Sequence, residues 1–394
     1  MGVVCLASQD WNSHLGVPQQ IMGRVVAEVP VVYIDPPRSI TSRLQGWESK
    51  ANDPVLHMDV AQSVDVTRLA APARALPVHN LPVPVSRLLR GINGLSMRNW
   101  FRSVLAEQGE KQPLYWVFEP ASIQHLPHLP KGPVIYDCID YWAGYFPEGS
   151  RRHTVINQMD QAMAERADIV FAGSDMVFER HKAFNPQTHL VRHAADFGHF
   201  NTAASDSAPV HKGLQHLGDK KVIGLCGILD KRVDVASMSA IAARRPDWHL
   251  VFVGPVQDNL DVSAFDGLTN VTLTGMADVS ELPLYIKGFD VCLIPYLIDE
   301  FVRGIYPLKL HEYLATGKPV VATSIPAVMP HSDLVWIGDG ADKLEHAIEK
   351  AMQDNDPDRV AARIALARDN SWEGRVEDKL NVIRERVGDG WAQH

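Results

Sequence analysis

Residues Tyr306–Thr323 read YPLKLHEYLATGKPVVAT. Pro307 can open a helix, because its missing N–H and fixed φ cost nothing in the first turn. Leu310, Tyr313 and Leu314 share one face at helical spacing, while Lys309 and Glu312, three apart, share another. Gly317 suits the left-handed position after a helix, and Pro319 forbids continuation. The run Val320–Ala322 then reads as a buried parallel strand. The unit is loop, short helix, tight turn, strand. A cation in the first turn of a helix suits a phosphate, and a carboxylate one turn deeper can accept hydrogen bonds from two sugar hydroxyls. Phosphate and diol together suggest a nucleotide sugar. The same two residues also read as an ordinary solvated i,i+3 ion pair, so the rest of the chain must decide.

That rest alternates strand-like and helical stretches. Val3–Ala7, Val31–Ile34, Leu114–Phe118, Val134–Asp137 and Ile169–Ala172 are candidate strands of a first half. Val222–Cys226, Leu250–Val253, Val271–Leu273 and Val291–Ile294 join Val320–Ala322 in a second. Helical patterns such as Ile156–Glu165 and Met176–Ala183 lie between them. This order predicts parallel sheets wrapped by helices. At 394 residues the chain exceeds one ordinary core, so two doubly wound domains are expected. The aperiodic segment 201–220 is the expected linker. Ligands of such sheets bind beyond the carboxyl ends of the strands, and two facing sheets make that edge a cleft.

Composition narrows the function. The chain is 46% hydrophobic and 22% charged, and its net charge of −9 lacks the basic footprint of a general nucleic-acid binder. Cys5, Cys138, Cys226 and Cys292 lack metal-ligand spacing and sit beside apolar runs, so buried free thiols and a reducing cytoplasm are expected. No apolar run reaches membrane-span length, and the N-terminus reads as a first strand without the basic segment of a signal peptide. One stretch, 87–102, alternates Arg87, Arg90, Arg98 and Arg102 with apolar residues. It reads equally as an anionic-membrane contact and as ordinary surface helices.

Candidate site residues follow from the strand ends. The loop after the first strand carries Asp10 and His14, which can bind acceptor hydroxyls, although neighbouring residues can simply cap a helix. In IYDCIDYWAGYF, 135–146, Asp140 follows a strand beside Trp142, and burial against that ring would raise its pKa and make it a better base. Asp137 reads either as an acceptor ligand or as a structural partner, and His193 falls in a later post-strand loop. In the second half, Gly227 and Gly254 permit close backbone approach after strands. Lys231 and Arg232 offer charge for a diphosphate. Tyr296, Arg303 and Leu308 lie on the same strand-end edge as Lys309 and Glu312. No GxGxxG, HExxH or zinc-spaced cysteine pattern is present, so no metal or cofactor is expected.

The ordered motifs RHAADFGHF, GILDKRVD, VFVGP, FDVCLIPY and PLKLHEYLATGKPVV resemble those of GT-B glycosyltransferases of the group-1, GT4-like kind. The resemblance covers nearly all of the second half and, in the first, YDCID and ADIVFAGS. It implies two Rossmann-like domains facing a cleft: 1–205 for the acceptor, 206–370 for a nucleotide diphosphate sugar, most often a UDP-sugar, and a helix over 371–394 crossing back. It implies that Glu312 binds the donor ribose and that Lys309 and Arg232 hold the diphosphate without a metal. Gly304 stands where retaining relatives carry a second glutamate. Asp140 matches the general base of the similar xanthan-type glucuronosyltransferases, which implies inversion. The implied product is a bacterial surface saccharide built on a saccharide or lipid-linked acceptor at the inner membrane face. A sugar-nucleotide epimerase and a non-catalytic relative share this architecture and are the alternatives.

Overall fold

In a computed structural model of the chain, the described residues are 2–11, 16–36, 67–70, 98–99, 103 and 113–388. His14 and the basic stretch 87–102, apart from Arg98 and Asn99, lie outside them. Contacts divide the chain into one unit containing Met1–Arg192 and Val376–His394 and a second containing His193–Arg375.

The first unit holds β1 (Val3–Leu6), α1 (Val17–Val25), β2 (Val31–Asp35), β3 (Thr67–Ala70), β4 (Leu114–Val117), β5 (Val134–Cys138), α2 (Arg151–Arg166), β6 (Ile169–Ala172), α3 (Asp175–Lys182) and β7 (Thr188–Leu190). Its described strands form a seven-stranded sheet of order β3-β2-β1-β4-β5-β6-β7, every pair parallel. β1, β4, β5 and β6 are buried along their whole length, which is why they read as unbroken apolar runs rather than alternating ones. Ser150 caps α2 by accepting from the His153 N–H at 3.1 Å. Asn185 closes its far end, donating to the Ala164 and Ala167 carbonyls at 2.8 Å each.

The second unit holds α4 (Phe197–Asn201), β8 (Lys221–Cys226), α5 (Val235–Arg244), β9 (Trp248–Val253), β10 (Val271–Leu273), α6 (Leu282–Lys287), β11 (Val291–Ile294), α7 (Glu300–Gly304), α8 (Lys309–Ala315), β12 (Val320–Ala322), β13 (Val335–Ile337), α9 (Gly340–Met352) and α10 (Pro357–Asp369). Its parallel sheet has the order β10-β9-β8-β11-β12-β13. In each sheet the strand order reverses once, between β1 and β4 and between β8 and β11. Loops at the carboxyl ends of those pairs flank a crevice.

Two expectations are corrected. The segment 201–220 is no linker: the His211 N–H donates to the Leu284 carbonyl at 3.0 Å, and Leu214 and Leu217 are buried in the second unit's core. The division falls between Arg192 and His193, earlier than 205/206. Pro307 does not open the helix either. α8 starts at Lys309 with Leu308 as N-cap, because the Leu310 N–H takes the Pro307 carbonyl at 3.1 Å in a preceding turn.

The last helix, α11, spans Trp372–Val387, and from Val376 onward it belongs to the first unit. There the Lys379 ammonium lies 2.7 and 2.5 Å from the two Asp137 oxygens, and the Trp116 indole donates to the same carboxylate at 3.0 Å.

Candidate functional site

The second unit brings most of the expected donor residues together at its β8/β11 crevice. Gly227 follows β8 with φ +126°, a conformation that side chains rarely adopt. A Cβ there would lie 2.5 Å from both Cε and Nζ of Lys309. The missing side chain is therefore what lets the Lys309 ammonium lie against this turn. Gly254, after β9, has φ +141°, and a Cβ on it would meet the Gly227 carbonyl oxygen at 2.2 Å. The two glycines thus form one close-packed backbone layer under the lysine. Lys309 also donates to the Tyr296 hydroxyl at 3.0 Å. Tyr296 follows β11, so the Gly227 backbone from one side of the strand-order reversal and the Tyr296 side chain from the other meet one ammonium.

α8 is held in place from within. Leu310, Tyr313 and Leu314 are fully buried, and the Tyr313 hydroxyl accepts from the Cys226 N–H at 2.8 Å, which fixes the approach to Gly227. Gly317, with φ +74°, ends the helix, and the buried Arg363 guanidinium caps its carbonyl at 3.1 Å. Arg363 is itself paired with Asp354. One turn inside α8, burial pushes Glu312 up to about 7, Lys309 pulls it down, and Asp196 adds to the rise.

Arg232 is not a lone cation. Its Nε donates to both Asp230 oxygens at 2.8 and 2.9 Å, its Nη2 bonds the same carboxylate, and its backbone N–H adds a bond at 3.0 Å. The guanidinium lies 5.3 Å from the Tyr296 ring centroid. Burial raises Asp230, but the Arg232 bonds outweigh it and hold the carboxyl below its usual range. Lys231 is exposed, its ammonium 5.3 Å from the Phe301 ring centre, and Arg303 is exposed at the end of α7. Asp230 was missed by sequence reasoning, although the spacing Asp230–Arg232 is a signal that could have found it. Tyr313 was read only as a packing residue, and nothing local marks the bond of its hydroxyl to Cys226.

In the first unit Asp140 follows β5 and is partly buried, and the Tyr145 hydroxyl donates to its Oδ2 at 2.8 Å. Trp142 lies 6.0 Å from the Tyr145 ring, and its indole N–H is buried with no hydrogen-bond partner among the described residues. Asp10 lies in the β1 loop, where its carbonyl accepts from Gln19 Nε2 at 3.0 Å. Two assignments to the acceptor side are corrected. Asp137 is 1% exposed, and Lys379 and Trp116 occupy its carboxylate, so it is a structural ion-pair partner. His193 belongs to the second unit and is buried, its ring 6.5 Å from Tyr306 and 6.3 Å from Trp372.

Comparison with known proteins agrees with this fold. Residues 220–354 match the family model described as glycosyl transferases group 1. TuaH of Bacillus subtilis (strain 168), provisionally named a teichuronic acid biosynthesis glycosyltransferase, is 32% identical over 255 residues, which are 61% of this chain and 64% of TuaH. The chain thus matches less than two thirds of that relative's length. Sucrose-phosphate synthase from Thermosynechococcus elongatus superposes with a TM-score of 0.69 at 18% identity, over 98% of this chain and 99% of that one. Anabaena HepE in complex with UDP gives 0.67 at 13% identity, over 98% and 100%. The protein has the two parallel-sheet α/β domains of the GT-B fold, and residues 220–354 carry the sequence pattern of the group 1 glycosyl transferases.

Proposed function

We propose that the protein is a glycosyltransferase that moves a sugar from a nucleoside diphosphate donor, a UDP-sugar, to a saccharide or lipid-linked acceptor in surface polysaccharide synthesis. The observation that carries this reading is the Lys309 ammonium lying where a Gly227 side chain would stand, beside Tyr296 and one turn from Glu312. That arrangement offers one cation and bare backbone to a diphosphate and a carboxylate to a ribose. The group 1 match over 220–354, the named role of TuaH and the UDP complex of HepE support the donor class.

In this reading Lys309, with Arg232 oriented by Asp230, stabilises the diphosphate as it leaves, so no metal ion is needed for that charge. Asp140 takes the proton from the acceptor hydroxyl, and the sugar inverts. Gly304 leaves no carboxylate at the position used by retaining relatives, which favours that course. Asp10, Trp142 and the basic stretch 87–102 are assigned to the acceptor, the last through peripheral contact with an anionic membrane.

A thermal-shift screen over UDP-glucose, UDP-glucuronic acid, GDP-mannose and dTDP-glucose tests the donor class, since a ligand selective for the folded state raises its apparent stability. A UDP-sugar is expected to give the largest rise, and no rise with any of the four would overturn the reading. Asp140→Asn is expected to abolish sugar transfer while leaving UDP affinity unchanged. Transfer that survives in this variant removes Asp140 as the base.

A further inference from the structure

β5 ends two residues before Asp140, and a buried polar group grips one face of it. Tyr136 and Cys138 alternate onto that face, while Asp137 points to the other, toward Lys379. Asp160, on α2, is 3% exposed. It accepts from the Tyr136 hydroxyl at 2.6 Å and from Arg180 Nε at 3.3 Å, and it lies 2.9 Å from His181 Nε2. Burial raises this carboxyl, but His181, Tyr136 and Arg180 outweigh that and keep it below its usual range, so it stays ionised. The Cys138 thiol lies 3.7 Å from Asp160 Oδ1 and 3.3 Å from the Asp140 carbonyl oxygen. Burial pushes that thiol up, so it keeps its one proton and donates it in a hydrogen bond to the nearer Asp140 carbonyl, while Asp160 holds the strand through Tyr136.

Cys138, Asp160 and His181 place ligand-type atoms within 4.8 Å of one another, as a metal site would. Arg180 and Tyr136 donate to the same carboxylate, however, and a guanidinium beside a cation is repulsive.

We infer that Cys138 is a positioning residue for Asp140: its thiol ties down the Asp140 carbonyl, and Asp160 anchors the strand end that carries the thiol. The inference rests on Asp140 being the acceptor-side base. Asp140 then enters the reaction with its backbone fixed from below and its carboxylate oriented by Tyr145. A loop without these ties would spend time with the carboxylate turned away.

The test compares Cys138→Ala and Cys138→Ser in the full chain. Hydrogen exchange of the amides at 139–146, without ligand, is expected to quicken about two- to threefold in Cys138→Ala, the loss of one weak S–H hydrogen bond. Exchange in β4 is expected to stay unchanged. Sugar transfer is expected to lose kcat while the KM for the UDP-sugar stays unchanged. Cys138→Ser, which keeps a donor, is expected to restore both. An unchanged kcat and exchange rate in Cys138→Ala overturn the inference, as does an equal rise in β4, which signals general loosening. Should Asp140→Asn keep transferring sugar, the base assignment fails instead, whatever the exchange data show.

Discussion

Glu312 offers a sharp test of the donor site, because its protonation and its proposed task conflict near neutrality. Burial raises its pKa from the ordinary 4.5 to about 7. A carboxylate that accepts hydrogen bonds from ribose hydroxyls must be ionised, so binding has to expel the proton. If only the ionised form binds, the apparent dissociation constant scales as one plus the ratio of protonated to ionised enzyme. With a pKa of about 7 that factor is about 11 at pH 6 and about 1.1 at pH 8, so affinity rises about tenfold, or about 1.4 kcal/mol, over two units. UDP-glucose is a suitable probe because its diphosphate is doubly esterified and does not titrate in this window. Calorimetric titrations at pH 6, 7 and 8 are expected to show this rise in the native protein and a flat, weaker profile in Glu312→Gln. The sign also reaches stability. A carboxyl with a raised folded-state pKa keeps its proton longer in the folded form, so stability falls as pH climbs from about 4.5 toward about 7. Glu312→Gln is expected to remove that part of the slope. A pH-independent UDP-glucose affinity in the native protein refutes the raised pKa of Glu312, and an undiminished affinity in Glu312→Gln at pH 8 refutes the carboxylate–ribose assignment.

Other perturbations probe neighbouring parts. Lys309→Ala is expected to weaken nucleotide diphosphate binding by about 1.5–3 kcal/mol, the worth of a charge-assisted hydrogen bond, and calorimetry with UDP reads it directly. Gly227→Ala sets a methyl 2.5 Å from the lysine ammonium in a backbone conformation of φ +126°. It is expected to cost about 1–3 kcal/mol of stability and at least a tenfold loss of UDP affinity, whereas equal affinity would show that the turn leaves the lysine free to move. Lys379→Met leaves the Asp137 carboxylate buried without its cation and is expected to destabilise the first unit by about 3–5 kcal/mol in denaturant unfolding. Adding Asp137→Asn should recover part of that, and a neutral single variant would mean the ion pair contributes nothing net.

The amino-acid sequence alone determined the alternation of strands and helices, and for a physical reason. Strands covered on both faces must be apolar throughout, so β1, β4, β5, β6, β8, β9, β11 and β12 announce themselves within a few residues. At the sheet edges legibility was uneven: β10 was read from Val271 and Leu273 although it is partly exposed, whereas β3, β7 and β13 were not read as strands. The short α8 was equally legible from Leu310, Tyr313, Leu314 and Gly317, since its packing face and its stop signal are local. What the fold decided is which charged groups are already engaged. Asp137 and Asp140 look alike in YDCID, yet one pairs with Lys379, 242 positions away, and the other meets Tyr145, five positions away. His193 reads as a loop residue of the first half and lies buried in the second unit. Local periodicity is written residue by residue. The partner of a buried charge depends on which distant segment the chain folds against it, and only the tertiary structure supplies that.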